Sequence, residues 1–220
     1  MTSLVDIGSP TTESDAVSEP AAVSEPTAVS ELTATAGWVT VSTPRGPFTA
    51  VADADGRVLA SGWTDDPHYL VALIHSTIRP ESIAPSVHLT DIADAIEAYH
   101  DGDLTAPDAI PVLSKSGPFI EKAWAALRSV PAGQTVSYQR FAELSGEPLA
   151  IRAAASACAR NPAALFVPCH RVLRSNGKLG GFRYGLEIKE WLLTHEQPAH
   201  EQPEQEENST NPGSSSASSS

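Results

Sequence analysis

Every aromatic side chain of this 220-residue chain falls between Trp38 and Trp191, and that confinement fixes where a core can form. Residues 1–35 are mostly Ala, Ser, Thr, Pro and Glu, and residues 16–20 recur at 22–26 and, imperfectly, at 28–32. With six acidic residues and no basic or aromatic ones, this tract buries too little apolar surface to offset chain entropy. The other end turns to Glu, Gln, Pro and Ser and closes in a serine run, the composition of a flexible tail. The division that follows is a disordered acidic repeat tail at 1–36, an N-terminal domain at 37–106, a C-terminal domain at 107–197 and a disordered tail at 198–220.

Between those tails the composition is that of a soluble globular protein, 41% apolar and 19% charged overall. No apolar run approaches the roughly 20 residues of a membrane helix, and the N-terminus lacks the basic start and apolar stretch of a secretory signal, so a cytoplasmic location is expected. Two cysteines, Cys158 and Cys169, are too few for a disulfide framework or a four-Cys zinc site. No His pair has a helical metal spacing with a carboxylate companion, so neither metal nor cofactor is expected, although a site built partly from the seven His stays formally open. The net charge of −13 is unevenly spread. From 110 to 196, four Lys and seven Arg face six Glu and no Asp, a formal +5, which leaves −18 on the remainder. A basic module in an acidic chain suits a phosphate-binding surface; a mixed, solvated face is the plain alternative.

The pattern predicts an α+β fold. Residues 38–41 and 48–51 alternate about a turn holding Pro44, Gly46 and Pro47, and 58–62 follow the Asp55-Gly56 turn signal, predicting three antiparallel strands. Residues 69–76 and 91–99 read as helices; in the second, Ile92, Ala95, Ile96 and Tyr99 share one face. This small N-terminal α/β unit shows nothing catalytic. Beyond it a helix is expected at 118–129, with Ile120, Trp124 and Leu127 on one side, ended by Pro131-Ala132-Gly133. Ser137 reads as the N-cap of a short helix through Leu144, and a further helix runs from about Leu149 until Asn161-Pro162 forbids continuation. Two short helices joined by Gly146-Glu147-Pro148 spell a helix-turn-helix in a mostly helical domain; a plain corner of the kind many helical bundles contain is the alternative. Arg152 is the one long side chain in the Ala-rich start of the second helix: a phosphate contact, a surface ion-pair partner or a wedge into a base stack.

The chemistry concentrates at Pro168-Cys169-His170-Arg171-Val172, just where the apolar run 163–167 breaks. A thiol is nucleophilic as thiolate, and a neighbouring imidazole with a guanidinium close by raises the thiolate fraction. A half-buried structural Cys is the bland alternative. Neighbours on an extended segment point to opposite faces, so direct Cys-His contact is awkward and a water relay suits that geometry better.

Over residues 38–196 the chain resembles the O6-alkylguanine-DNA alkyltransferase family of direct-reversal repair proteins. The residues that carry the resemblance are Val136-Ser137-Tyr138-Gln139, Arg152, Asn161-Pro162, Val167-Pro168-Cys169-His170-Arg171-Val172, Ser175, Gly177, Leu179-Gly180-Gly181-Phe182-Arg183 and Lys189-Glu190-Trp191-Leu192-Leu193. The resemblance implies that Cys169 takes the alkyl group from O6 of a damaged guanine, O4-methylthymine remaining open as a further substrate, and that each molecule acts once. It implies a winged-helix-like form for the helix-turn-helix domain and a water-linked relay in which His170 takes the thiol proton and Glu196 supports His170, while Asn161 orders the turn before the active-site segment. Tyr138 donates toward the flipped guanine and Arg152 fills the vacancy that the base leaves. Ala150, Ala153 and Ala154 let the helix approach the minor groove closely, and Gln139 and Ser175 touch DNA. Val167, Pro168, Gly180, Gly181, Phe182 and Arg183 form the substrate pocket, and Cys158 faces it. The implied partner is double-stranded DNA carrying alkylated guanine, bound by a monomer, nucleoid-associated while acting.

Some positions depart from the family pattern. Ala155 stands where relatives usually have Gly, Glu147 where Asn often lies near phosphate, and Phe182 where Tyr is frequent. Three other readings compete. A damage sensor that does not transfer the group usually has Trp at the Cys position; a helix-turn-helix regulator gives no reason for the Cys-His segment; a Cys-His hydrolase needs the direct contact that the segment makes awkward. A combined repair protein and activator needs a four-Cys site, and residues 1–35 contain no Cys.

Overall fold

The computed structural model describes residues 35–197; the expected disorder of the two tails lies outside the described residues. The first strand, β1 (Thr35–Thr43), begins two residues inside the expected tail because Thr35 and Ala36 pair with Ser82 and Ile83. It turns at Gly46, whose φ of +101° an L side chain rarely adopts, into β2 (Gly46–Ala52) and then β3 (Val58–Trp63), both pairings antiparallel. The sheet has four strands rather than the three expected from the sequence. A short strand, β4 (Ser82–Pro85), adds in parallel to β1, giving the order β3-β2-β1-β4.

The helix α1 (Pro67–Leu73) starts earlier than its apolar residues suggest, since the Asp66 side chain accepts from His68 N at 2.9 Å and Pro67 occupies the first turn. It seats Leu70 with Val51, Leu59 and Ile74 on one face of the sheet. The second helix, α2 (Thr90–His100), buries Ile92, Ala95, Ile96 and Tyr99 as its spacing predicts.

Those residues belong to a core that continues without a break into the second half, through Trp124, Leu127, Phe141, Phe166 and Leu192. The outer edge of β3 is not open to solvent. Val58 N donates to Pro111 O at 2.9 Å and Leu113 N to Val58 O at 2.9 Å, while Ser61 N donates to Pro162 O at 2.9 Å. Covering an edge in this way removes a template for pairing with another chain.

In the second half α3 (Pro118–Arg128) packs on α5 (Ile151–Arg160), with Trp124 Nε1 donating to Ala157 O at 2.9 Å. Ser137 caps α4 (Tyr138–Leu144) by accepting from Arg140 N at 3.1 Å. The chain leaves α4 through Gly146 at φ +86°, where Glu147 N returns to Ala142 O at 3.1 Å. Two-residue strands β5 (Val136–Ser137) and β6 (Val172–Leu173) pair in parallel, and Leu173 bridges Leu179 to form a small wing beside the two helices. The last helix, α6 (Leu186–His195), closes over the back of residues 169–171 with Glu196 as its C-cap.

Candidate functional site

Cys169 lies in a single 3-10 turn, Cys169–Arg171, rather than on the extended segment expected from the sequence. In such a turn successive side chains fan out by about 120° instead of alternating. His170 and Arg171 can therefore both reach behind Cys169 to one partner, Glu196. His170 Nε2 stands 2.7 Å from Glu196 Oε1, and Arg171 Nη2 and Nε lie at 2.9 and 3.0 Å from Oε1 and Oε2. Tyr99 OH adds a donor at 2.8 Å and Gly133 N another at 3.3 Å. His170, Arg171 and Glu196 are all buried.

Burial alone would raise the Glu196 carboxyl, but the hydrogen bonds and charges of His170 and Arg171 outweigh it and hold the group well below the usual carboxylate range. Burial lowers His170 against the opposing pull of Glu196, so its imidazole is neutral. With Glu196 an acceptor only, the proton sits on Nε2, and Nδ1, buried and without a protein partner, is the free lone pair.

Upstream, Asn161 clips both ends of the segment leading to Cys169. Its Nδ2 donates to Val167 O at 2.8 Å and its Oδ1 accepts from Ala163 N at 3.1 Å. Between those anchors Leu165 has φ +74°, alone among the described non-glycine residues, a conformation costing on the order of 1–2 kcal/mol. Its burial and the Asn161 clip hold it there.

The thiol faces a cavity of about 390 Å³ bounded by Tyr138, Ala155 and Ala159 from the helix pair and Phe182, Arg183 and Tyr184 from the loop before α6. Cys158, Asn161, Ala164 and Gly181 complete the wall. Burial raises the Cys169 thiol; the Asn161 amide and then the charges of Lys189 and Arg183 oppose it. The guanidinium of Arg171, expected from the sequence to favour the thiolate, is turned away onto Glu196 and Val130 O. Its place is taken by the fully buried Lys189, whose Nζ donates to Val172 O at 2.7 Å.

Comparison with known proteins decides the family. Residues 118–198 match the model of the 6-O-methylguanine DNA methyltransferase DNA-binding domain. A methylated-DNA-protein-cysteine methyltransferase of Shigella flexneri is 34% identical over 158 residues, covering 71% of this chain and 92% of that one. The chain belongs to the 6-O-methylguanine DNA methyltransferase family. A crystal structure of Mycobacterium tuberculosis O6-methylguanine methyltransferase aligns with a TM-score of 0.59 at 28% identity, covering 75% of this chain and 96% of that one. The OGT of the same organism in complex with DNA aligns at 0.60 and 28%, covering 73% and 92%.

Against the expectations of this methyltransferase family, several residues fall elsewhere. Of the six pocket residues expected from the sequence, Gly181, Phe182 and Arg183 line the cavity, whereas Val167, Pro168 and Gly180 do not. Val167 is turned into a separate hollow with Val112 and Trp124. Pro168 precedes the 3-10 turn as its N-cap. Gly180 lies so close to Tyr138 that a Cβ would fall 2.3 Å from the phenol oxygen, so its part is to admit that ring. On α5, Ala154 points into the core at 0% exposure and is unavailable to a groove; Ala150 and Ala153 are half-buried, and the exposed face carries Arg152, Ala155 and Ala159. Gln139 and Ser175 flank a second hollow with Tyr138, Ile151 and Arg174.

Five residues of the site escaped the sequence reading: Tyr99, Lys189, Tyr184 and the cavity-lining Ala159 and Ala164. A signal existed for one. Lys189, Leu192 and Glu196 recur at helical spacing, which places a lysine and a glutamate on the same stripe as a buried leucine. Among the described residues no group of three or more His, Cys, Asp or Glu is placed to hold a metal ion, and no helix is long and apolar enough to cross a membrane.

Proposed function

We propose that this protein repairs O6-alkylguanine in double-stranded DNA by transferring the alkyl group, once per molecule, to Cys169 Sγ. The observation that carries the reading is the buried Glu196–His170 pair directly behind a thiol that opens into a cavity beside the helix-turn-helix. The thiol proton passes by way of a water to His170 Nδ1, and Glu196 compensates the imidazolium that forms. Lys189 stabilises the thiolate. The sulfur attacks the alkyl carbon, the C–O6 bond breaks, and its electron pair leaves with the guanine, which takes up a proton. The product is a thioether that nothing in the site can reverse.

A base cannot react within the stack, so the damaged nucleotide is flipped into the cavity at a cost of a few kcal/mol. The exposed face of α5 supports a minor-groove approach. Ala155 and Ala159 are small enough for close contact and run from the cavity rim toward Arg152, the residue proposed to fill the vacated stack. Tyr138 borders both the cavity and the hollow of Gln139, Arg174 and Ser175, which suits a phosphate next to the flipped base. The proposed reaction needs no group from a second chain, and the protein is proposed to act as a monomer in the cytoplasm, on the nucleoid.

The deciding experiment mixes the purified protein with duplex DNA bearing one O6-methylguanine and follows intact and peptide masses. One methyl group on the Cys169 peptide, with guanine restored in the DNA, is the expected result. Binding without a mass change would favour a damage sensor, and no binding would remove the reading altogether.

A further inference from the structure

Three consecutive residues at the end of β3 grip the loop that walls the cavity, although none of them lines it. Ser61 is a junction. Its N and O pair with Pro162 O and Ala164 N at 2.9 and 3.1 Å, its Oγ donates to Ala164 O at 2.8 Å, and its carbonyl also accepts from Tyr184 OH at 3.1 Å. Gly62 leaves the notch into which the Tyr184 ring fits, for a Cβ there would lie 2.0 Å from both Cζ and the phenol oxygen. The φ of Gly62 is unremarkable, so space and not backbone freedom requires glycine. Trp63 packs against Phe182 and Tyr184 with ring centroids 6.1 and 5.8 Å away, and those two rings are 5.8 Å apart. Burial also raises the Tyr184 phenol, which keeps it a neutral donor to Ser61.

We infer that Ser61-Gly62-Trp63 is a positioning platform by which the N-terminal sheet sets the width of the cavity, and so the size of group that reaches Cys169, through Tyr184. None of the three lines the cavity; they act through a ring that does. The loop 180–184 has no regular structure of its own, and an unanchored aromatic there would sample several rotamers. Phe182, Arg183 and Tyr184 line one side of the cavity and Ala155 and Ala159 the other, so a shift of one ring changes the gap directly. A methyl group at position 62 displaces the tip of the Tyr184 ring from β3 toward the cavity that the same ring borders.

The inference rests on the proposed function for its meaning, but its test need not. The probe is the ratio of Cys169 labelling by a bulky aryl maleimide to labelling by iodoacetamide, read by peptide mapping so that Cys158 is scored separately. Gly62→Ala is expected to lower that ratio about tenfold, the equivalent of one steric contact of ordinary size. Tyr184→Ala is expected to raise it, and in that background Gly62→Ala should have no further effect. A ratio that does not fall, or that falls equally in both backgrounds, overturns the platform; a merely structural role for Gly62 would lower Tm without moving the ratio. Should Gly62→Ala fail to fold, Tyr184→Phe keeps the ring and removes only its bond to Ser61, and an about threefold rise is expected; no rise overturns the inference. The same variants assayed for O6-benzyl against O6-methyl transfer from duplex DNA should move in parallel. If the wild type transfers neither group while the labelling ratios behave as stated, the proposed function fails and the platform stands.

Discussion

At the scale of single residues, Glu196 is the group on which the site depends. Its carboxylate accepts from Tyr99, from Gly133 and from the adjacent pair His170 and Arg171, three points far apart in the chain. Glu196→Gln preserves the shape and removes the charge, leaving the Arg171 guanidinium, 4% exposed, without a counter-ion. Breaking a buried pair from one side costs about 3–5 kcal/mol, so urea denaturation should show a loss of that order, together with slower methyl transfer. A loss under about 1 kcal/mol would mean that Arg171 finds compensation elsewhere. Arg171 also shows where residue-level reading stops. The Cys-His-Arg adjacency is plain in the sequence, yet which way each side chain points depends on a turn of 3-10 helix that no periodicity announces. An extended run would have sent Arg171 to the thiol's side; the turn sends it to Glu196, and the cation near the thiol comes instead from Lys189 on α6.

At the scale of elements, α5 separates two uses of alanine. Ala154 and Ala157 are fully buried in the core, whereas Ala155 is exposed at the cavity rim. Ala154→Leu is therefore expected to overpack that core and cost about 1–3 kcal/mol, visible as a lower Tm. Ala155→Leu should leave Tm within a degree or two and instead weaken binding to duplex DNA and slow methyl transfer. Equal effects on Tm would contradict the assignment of faces. The sequence makes most of these elements legible: the spacing of Ile92, Ala95, Ile96 and Tyr99 places α2, and Ser137 and Asn161-Pro162 bracket the helix-turn-helix. It conceals β4, because four residues ending in Pro85 carry no alternation and gain their pairing only from β1. It also shifts α1, whose beginning is set by the Asp66 cap and Pro67 rather than by apolar spacing. The cavity wall at Tyr184 is hidden for a related reason, since what fixes it is a notch at Gly62, 122 residues away in sequence.

At the scale of the whole molecule, buried titratable groups set the pH range of stability. His170 and Glu196 both titrate lower in the fold than their ordinary 6.5 and 4.5. On acidification the unfolded chain therefore binds protons that the fold refuses, and stability falls as pH drops below each ordinary value in turn. Cys169, Cys158 and Tyr99 are raised above 9.0, 9.0 and 10.0 by burial. On the alkaline side the unfolded chain loses protons that the fold keeps, and stability falls again. The urea midpoint is expected to be highest between about pH 6.5 and 9 and to decline on both sides; a midpoint that rose as pH fell from 6 to 4 would refute the assignment of a neutral His170 and an ionised Glu196.

The shared carboxylate of Glu196 has a further consequence for a reagent spent in one use. On the proposed function, the oxygens that would steer the proton also tie α2, the loop at Gly133 and the Cys169–Arg171 turn to the end of α6, so a copy with a broken relay would also be a poorly folded copy. Poorly folded chains are cleared by proteolysis. On that reading, loss of the relay and loss of the protein itself would go together.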